Sequence, residues 1–544
     1  MSAGRTSVEV AATGTAYGND PLGAGERPRA AVAGGRYAAY VLAVLVLVYA
    51  VNFVDRNILS ILAQEIKASL KVSDAQIGFL YGTAFAIFYA VFGIALARLA
   101  DGWYRVRLIA LGLTLWSGMT ALSGLAGSFG QLAAARVGVG IGEASASPAA
   151  YSLLADYFPS RQRASALAIY SAGLYIGAGL SLPLGGTLSH GWNRRFAGGG
   201  APFGLAGWQV AFLVAGLAGL ALALWVVTLR EPPRGLSEGQ SAPARQPGIW
   251  GDFGRELAGI LPPFTLWRAA RLPGGLIVNV TLLAVIAAAA TLFVAVTGDY
   301  AQWIGLAVGC YAAVSWAQQL RARDRPAFAL LWGSPTVVLA LIGSALLAFV
   351  SYGISFWAPP YAIRTFHVGA DVAGWLIGIP AALASAAGCI LGGRLSDFWK
   401  QRDPRGRIYV CLLAVVLPIP VTWAALSTSD ARVFYVLVPC TVAVANLWLG
   451  SSAAIVQDCV LPRMRATAGA AFLLMLSLLG LALGPYLAGK VSSLSGSLRT
   501  GILSLFLACP VAFYVLWRSG RGLAQAEASK EARARAAGEA LAPA

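Results

Sequence analysis

The sequence has little charge. Asp, Glu, Lys and Arg make up 12% of its 544 residues, against 58% hydrophobic, and mean hydropathy is +0.70. Soluble domains carry roughly a quarter charged residues, so a soluble globular protein is excluded. Both halves are equally apolar, which excludes a soluble enzyme on a single anchor. Histidine is nearly missing: His190 and His367 show no metal-ligand spacing, and no metal is expected. The six cysteines lie in or beside apolar runs without a CxxC, so they read as small buried residues. Neither a phosphate loop nor a nucleophile triad is present, so primary pumping, enzymatic activity and a cofactor are not expected. The net charge of +17 does not imply nucleic acid, because the bases form no stripe interleaved with aromatics. They fall between apolar runs, where membrane topology explains them.

What is present is a series of apolar stretches. A span takes about 20 mostly apolar residues. Helices are expected at 37–61, 76–99, 107–127, 131–156, 163–188, 207–229, 274–297, 302–320, 333–357, 372–394, 408–427, 432–459, 467–489 and 500–517, fourteen in all. Arg98, Arg105 and Arg107 lie between the second and third, and Arg161 and Arg163 between the fourth and fifth. A second set follows 372–394 (Arg394, Lys400, Arg402, Arg405, Arg407), and Arg463 and Arg465 follow 432–459. Alternate connections such as "SGLAGSFGQ" and "STSDAR" are short and nearly uncharged, while Arg194 and Arg195 fall against the pattern. Positive charge marks the cytoplasmic side, so both termini are expected there.

An internal repeat organises these spans. "RLADGWYRVR" (98–107) is echoed by "RLSDFWKQRDPRGR" (394–407), and "DYFPSRQRASA" (156–166) by "DCVLPRMRATA" (458–468). Asp156 and Asp458 are 302 residues apart, and Asp101 and Asp397 are 296 apart. Two related six-helix halves account for this, the arrangement of secondary transporters with a site near the midplane. The expected organisation is a disordered tail (1–36), a first bundle (37–229), a linker with a short surface helix (230–271), an inserted transmembrane hairpin (272–321), a second bundle (322–518) and a disordered tail (519–544).

The run from Gly93 to Arg107 resembles the loop signature of the major facilitator superfamily, and the copy from Gly393 resembles its weaker second-half form. "ARVGVGIGEA" (135–144) resembles that superfamily's fourth-helix motif. "NFVDRNILS" (52–60), the run 140–159 and "GISFWAPPY" (353–361) resemble the spinster-like branch. The resemblance implies a major facilitator fold of two six-helix bundles, here with an inserted hairpin. It further implies a proton-linked transporter, since animal members of the branch are regarded as moving lysolipids or sphingosine phosphate. A multi-pass protein of a bacterial inner membrane, working as a monomer among membrane lipids, is the corresponding expectation.

The residues themselves carry a second line of argument. Asn52, Arg56 and Ser60 recur at i, i+4, i+8 and share one helical face, with Asp55 on its flank. Arg136, Gly140, Glu143 and Ser147 form a facing polar stripe, and Gly138, Gly140 and Gly142 allow close helix approach. Asp55 and Glu143 are the only acids well inside an expected helix. A charge at that depth costs about 2.5–3.5 kcal/mol even on lenient scales. Asp55 and Glu143 are therefore candidates for proton coupling, with Asn52, Arg56 and Arg136 as substrate contacts or charge partners, and Asp55 and Arg56 are expected to line the central cavity between the halves. Inert packing salt bridges are the other reading. Tyr352 and Trp357 could line a cavity wall or belong to an interfacial belt. Asp101, Arg105 and Arg107, with Asp397 and Arg402 in the second copy, fit a cytoplasmic latch that holds an outward-facing state. The expected substrate is an amphipathic anion or lysolipid. A small organic or sugar-acid anion is the alternative, and a non-transporting sensor on the same fold is the second.

Overall fold

The computed structural model describes residues 35–235, 248–261 and 263–540. The expected N-terminal tail lies outside them but for its last two residues. The first half holds α1 (Gly35–Leu70), α2 (Asp74–Tyr81), α3 (Thr83–Gly102), α4 (Arg105–Ser123), α5 (Phe129–Glu143), α6 (Ala146–Tyr157), α7 (Ser160–Arg195) and α8 (Gly207–Val227). Between the halves come α9 (Ile249–Ala258), α10 (Phe264–Ala269), α11 (Gly275–Thr297), α12 (Tyr300–Arg323) and α13 (Arg325–Leu331). The second half holds α14 (Pro335–Phe366), α15 (Ala370–Lys400), α16 (Gly406–Val416), α17 (Pro418–Ser427), α18 (Ala431–Ala445), α19 (Trp448–Asp458), α20 (Arg465–Met475), α21 (Gly484–Ser495), α22 (Leu498–Ser504) and α23 (Cys509–Ala528), followed by α24 (Lys530–Ala536).

Among the described residues, twelve stretches are long and apolar enough to cross a membrane, not fourteen. The two expected places that fall short are helical all the same. One is split at Ala144–Ser145 into α5 and α6, of 15 and 12 residues. The other, α12, carries Gln302, Gln318, Gln319, Arg321 and Arg323, which dilute its apolar run.

The repeat has a structural counterpart. The break after α5 at Ala144 and the break after α18 at Asn446 each stand 12 residues ahead of an aspartate, Asp156 and Asp458. Arg105 pairs with Asp156 and Arg407 with Asp458, each across 51 residues of sequence. In both halves, the first charged signature docks on the second.

Close approach sets the position of α5. A Cβ at Gly142 would meet the backbone of Trp116 at 2.7 Å and of Gly112 at 2.9 Å, so α5 and α4 touch backbone to backbone. On the other side, a Cβ at Gly140 would press on the α3 backbone at Phe85 and Tyr89. Gly142→Ala should therefore overpack this crossing and cost about 1–3 kcal/mol. A lowered melting temperature of the purified protein checks it.

The C-terminal tail differs from expectation. Residues 519–528 continue α23, and α24 follows. The Ala, Arg and Glu content favours helix, and specific bonds hold it down. Lys530 donates to Asp458 O (3.0 Å), Arg533 donates to Ala329 O (2.7 Å), and Glu539 and Asp324 share Arg463.

Candidate functional site

The stretch 52–60 lies in mid-α1. Helical spacing turns Arg56 and Ser60 toward the second half, where Ser60 Oγ donates to Phe356 O of α14 (2.6 Å). Arg56 spans to α5, with Nη2 at 2.7 Å and Nε at 3.2 Å from Glu143 Oε2. Its guanidinium lies over the rings of Phe53 (4.6 Å), Phe85 (4.5 Å) and Tyr89 (4.9 Å). These π faces attract the cation and cover most of it. The Glu143 side chain is fully buried, whereas that of Arg56 keeps 14% of its surface. Asn52 lies beside Glu143, and Tyr352 of α14 faces Arg56 from the second half.

Two residues depart from the expected arrangement. Asp55, expected on the space between the halves, is fully buried inside the first half, facing Trp116 and Thr120 of α4. Neighbours along a helix diverge by about 100°, so Asp55 and Arg56 cannot share one surface. Neither Asp55 carboxylate oxygen has a direct hydrogen bond among the described residues. Arg136 supports the same turn through the Asp55 backbone, with Nη1 3.1 Å from its carbonyl. Trp357 is fully buried and donates Nε1 to Pro485 O (2.9 Å), so its indole packs α14 on α21 rather than lining the space between the halves.

The cytoplasmic-edge residues are only partly gathered. Arg105 is buried between Asp156, Glu231 and Ser152. The acceptor at the α4 N-terminus is Glu231, bonded to Val106 N (2.8 Å), and not Asp101, which is exposed. Arg107 is exposed over Tyr104, and Arg402 lies over Phe398. In the second half Arg407 and Lys400 take the role expected of Arg402, while Asp397 is exposed, 3.9 Å from Arg407. The bonds of Arg105 reach only the first half and the linker residues just after it, and those of Arg407 stay within the second half, so neither joins the halves.

The opposite end joins the halves. Asp74, the first residue of α2, accepts from Arg364 Nη1 of α14 (2.7 Å), Ser492 of α21 (2.7 Å) and Lys67 of α1 (2.8 Å). A capping box places it there: Ser73 Oγ accepts from Gln76 N (3.2 Å) and Gln76 Oε1 from Ser73 N (2.9 Å). Arg364 also donates to Gln64 (2.6 Å). Sequence reasoning missed this cluster, since it began the second helix at 76. The Ser73–Gln76 spacing is the signal that would have placed the start earlier. The hairpin joins the halves at the same end, where Gln302 accepts from Thr83 (2.6 Å) and Asp299 pairs with Lys490 (2.7 Å).

Two repeated helical bundles, sealed together at one end, with a buried ion pair in the first that faces the second, have the build of a secondary transporter. The chain belongs to the Major Facilitator Superfamily, whose family model matches residues 45–485. It is a spinster-like member, and this superfamily is one of transporters, not enzymes. An MFS-type efflux pump of Mycolicibacterium smegmatis is 28% identical over 459 residues, covering 84% of this chain and 85% of that one. Human protein spinster homolog 1 is 26% identical over 474 residues, covering 84% and 73%. A crystal structure of a bacterial homolog of the human lysosomal transporter spinster, inward-facing and occupied, matches with 27% identity and a TM-score of 0.63, over 93% of this chain and 97% of that one.

Proposed function

We propose that this transporter couples protons to the movement of an amphipathic anion, of lysolipid type, by alternating access. The observation that carries the reading is the Arg56–Glu143 pair, a cation with some exposure neutralised by an acid with none. A proton on Glu143 would free the Arg56 guanidinium for an anionic headgroup, so loading one site changes the charge of the other. The rings of Phe53, Phe85 and Tyr89 around Arg56 suit an apolar tail beside that headgroup. Asp55, packed away from the space between the halves, is assigned a proton-holding role through Arg136 and not a substrate contact.

With both termini cytoplasmic, the Asp74 end faces outward and its closure corresponds to an inward-facing state. Asp101, Arg107, Asp397 and Arg402, apart here, would then meet when the cytoplasmic end closes. The hairpin α11–α12 lies at the periphery in this reading. Its bonds reach Thr83, Ala482, Tyr486 and Lys490 but neither Asp55 nor Glu143.

The test is uptake into proteoliposomes under an imposed pH gradient, with a lysophospholipid and a hexarate as competing substrates. Gradient-driven uptake of the lysophospholipid supports the proposal. Uptake of the hexarate alone replaces the substrate class, and transport of either without response to the gradient removes the coupling.

A further inference from the structure

A second charged concavity lies far from the Arg56 site. A cavity of about 360 Å³ opens where α9, α10 and the two ends of the hairpin meet the end of α3. Five arginines line it against two carboxylates, and four of the five belong to the stretch between the bundles. The carboxylates are already engaged. Asp252 pairs with Arg255 and with Arg98 (3.5 Å), and Glu256 pairs with Arg323 (2.6 Å).

Arg268 and Arg271 are left over. Among the described residues neither has a carboxylate within 4.0 Å. Arg268 donates to Gln319 Oε1 (3.0 Å), and Arg271 lies over the Trp267 ring at 4.0 Å. Burial lowers the Arg268 pKa, and the guanidiniums of Arg323, Arg255 and Arg271 lower it further against the pull of Glu256. Cations held this close, with their carboxylates spent, form a binding site for an anion.

The surroundings select which anion. Helix α11 starts at Gly275, three residues past the cavity-lining Leu272, and none of its most apolar window is buried. The cavity therefore opens where a lipid-facing helix leaves the hydrocarbon. Trp250, Phe264 and Trp267 are exposed on the same two short helices, as aromatics at a membrane interface are. Leu276, Ile277 and Val280 of α11 continue from the cavity as exposed apolar surface for an acyl chain. A phosphate presented at headgroup depth, with its tail along α11, satisfies both parts. We propose that this cavity binds the headgroup of an anionic phospholipid from the surrounding leaflet, with Arg268 and Arg271 as its principal contacts. The site owes nothing to the transport path, and it stands whether or not the function proposed above holds.

The experiment titrates the full-length protein in detergent with phosphatidylglycerol, phosphatidylcholine or inorganic phosphate, reading bound lipid by native mass spectrometry and stability by thermal shift. Phosphatidylglycerol should bind and stabilise the protein while phosphatidylcholine does not. Arg268→Gln/Arg271→Gln should weaken phosphatidylglycerol about 25-fold, at a basic residue's usual contribution near an anionic surface. Arg194→Gln/Arg195→Gln, an equal charge loss at the other end of the bundles, should leave its affinity unchanged. The melting temperature of each variant without lipid reports folding separately. Equal weakening in both double variants, or none in the first, overturns the proposal. So does inorganic phosphate giving the full stabilisation at millimolar concentration, since the site would then be one for free phosphate.

Discussion

Glu143→Gln should abolish accumulation driven by a pH gradient while leaving the protein folded. Gln keeps the shape of Glu143 and can still face Arg56, but its charge cannot change during the cycle. Removing one partner of a buried pair costs about 3–5 kcal/mol when the other charge is left uncompensated. Here the remaining charge is partly compensated, because Arg56 keeps its contacts with Phe53, Phe85 and Tyr89. The opposite change is harsher. Arg56→Gln strands a fully buried carboxylate whose Oε1 already lacks a direct partner among the described residues. Arg56→Gln should therefore melt at a clearly lower temperature than Glu143→Gln. In proteoliposomes under a gradient of one pH unit, Glu143→Gln should lose about tenfold in accumulation, since one coupled proton then supplies about 1.4 kcal/mol. Wild-type accumulation in this variant would remove Glu143 from the coupling.

That site was legible in the sequence because helical spacing is rigid. Once 52–60 is a helix, Asn52, Arg56 and Ser60 must share a face, and a charge at that depth must find a partner. Glu143 was the obvious acid on a glycine-rich facing helix, and Arg56 does bond to it at 2.7 Å. The same rigidity was overlooked for Asp55, whose adjacency to Arg56 in sequence means divergence in space. The division into related halves could also be read, because charge signatures repeat at fixed distances and dock on one another in both halves. Partners at helix ends were not legible. Glu231 caps α4 from 125 residues away, and Arg364 reaches Asp74 across 290. Nothing periodic links such residues; helix ends set by hydropathy are uncertain by a few positions, enough to hide Asp74 at a boundary. The helical C-terminal tail was hidden for another reason. Its charge and alanine content suit a solvated chain as well as a helix, and partners distant in sequence, among them Arg463, Asp458, Lys400 and Ala329, decide between them.

Asp74→Asn should open the end of the molecule that is closed here. Three elements converge on this carboxylate, which stands in the first turn of α2, where negative charge is favoured. Its side chain is 2% exposed, while Arg364 and Lys67 keep 26% and 38%. Replacing the carboxylate by an amide retains one acceptor but leaves two cations facing each other without an anion. The full penalty for breaking a buried pair would be about 3–5 kcal/mol. Partial exposure of both cations lets solvent absorb some of it, so about 2–3 kcal/mol is expected to act on the equilibrium. Asp74 bonds to α14 and α21 across the interface only while the halves meet at this end, so the loss falls on the closed state. The ratio of open to closed forms should rise roughly 30- to 150-fold, at 1.4 kcal/mol per factor of ten. Spin labels at the exposed positions Arg195 and Ser429, at this end of the first and second halves, would report it as a longer distance population. Arg364→Gln should act in the same direction and Lys67→Gln more weakly, because Lys67 is the more exposed partner. If Asp74→Asn left the distance distribution unchanged, the cluster would be packing within a closed interface and not the bond that holds it shut.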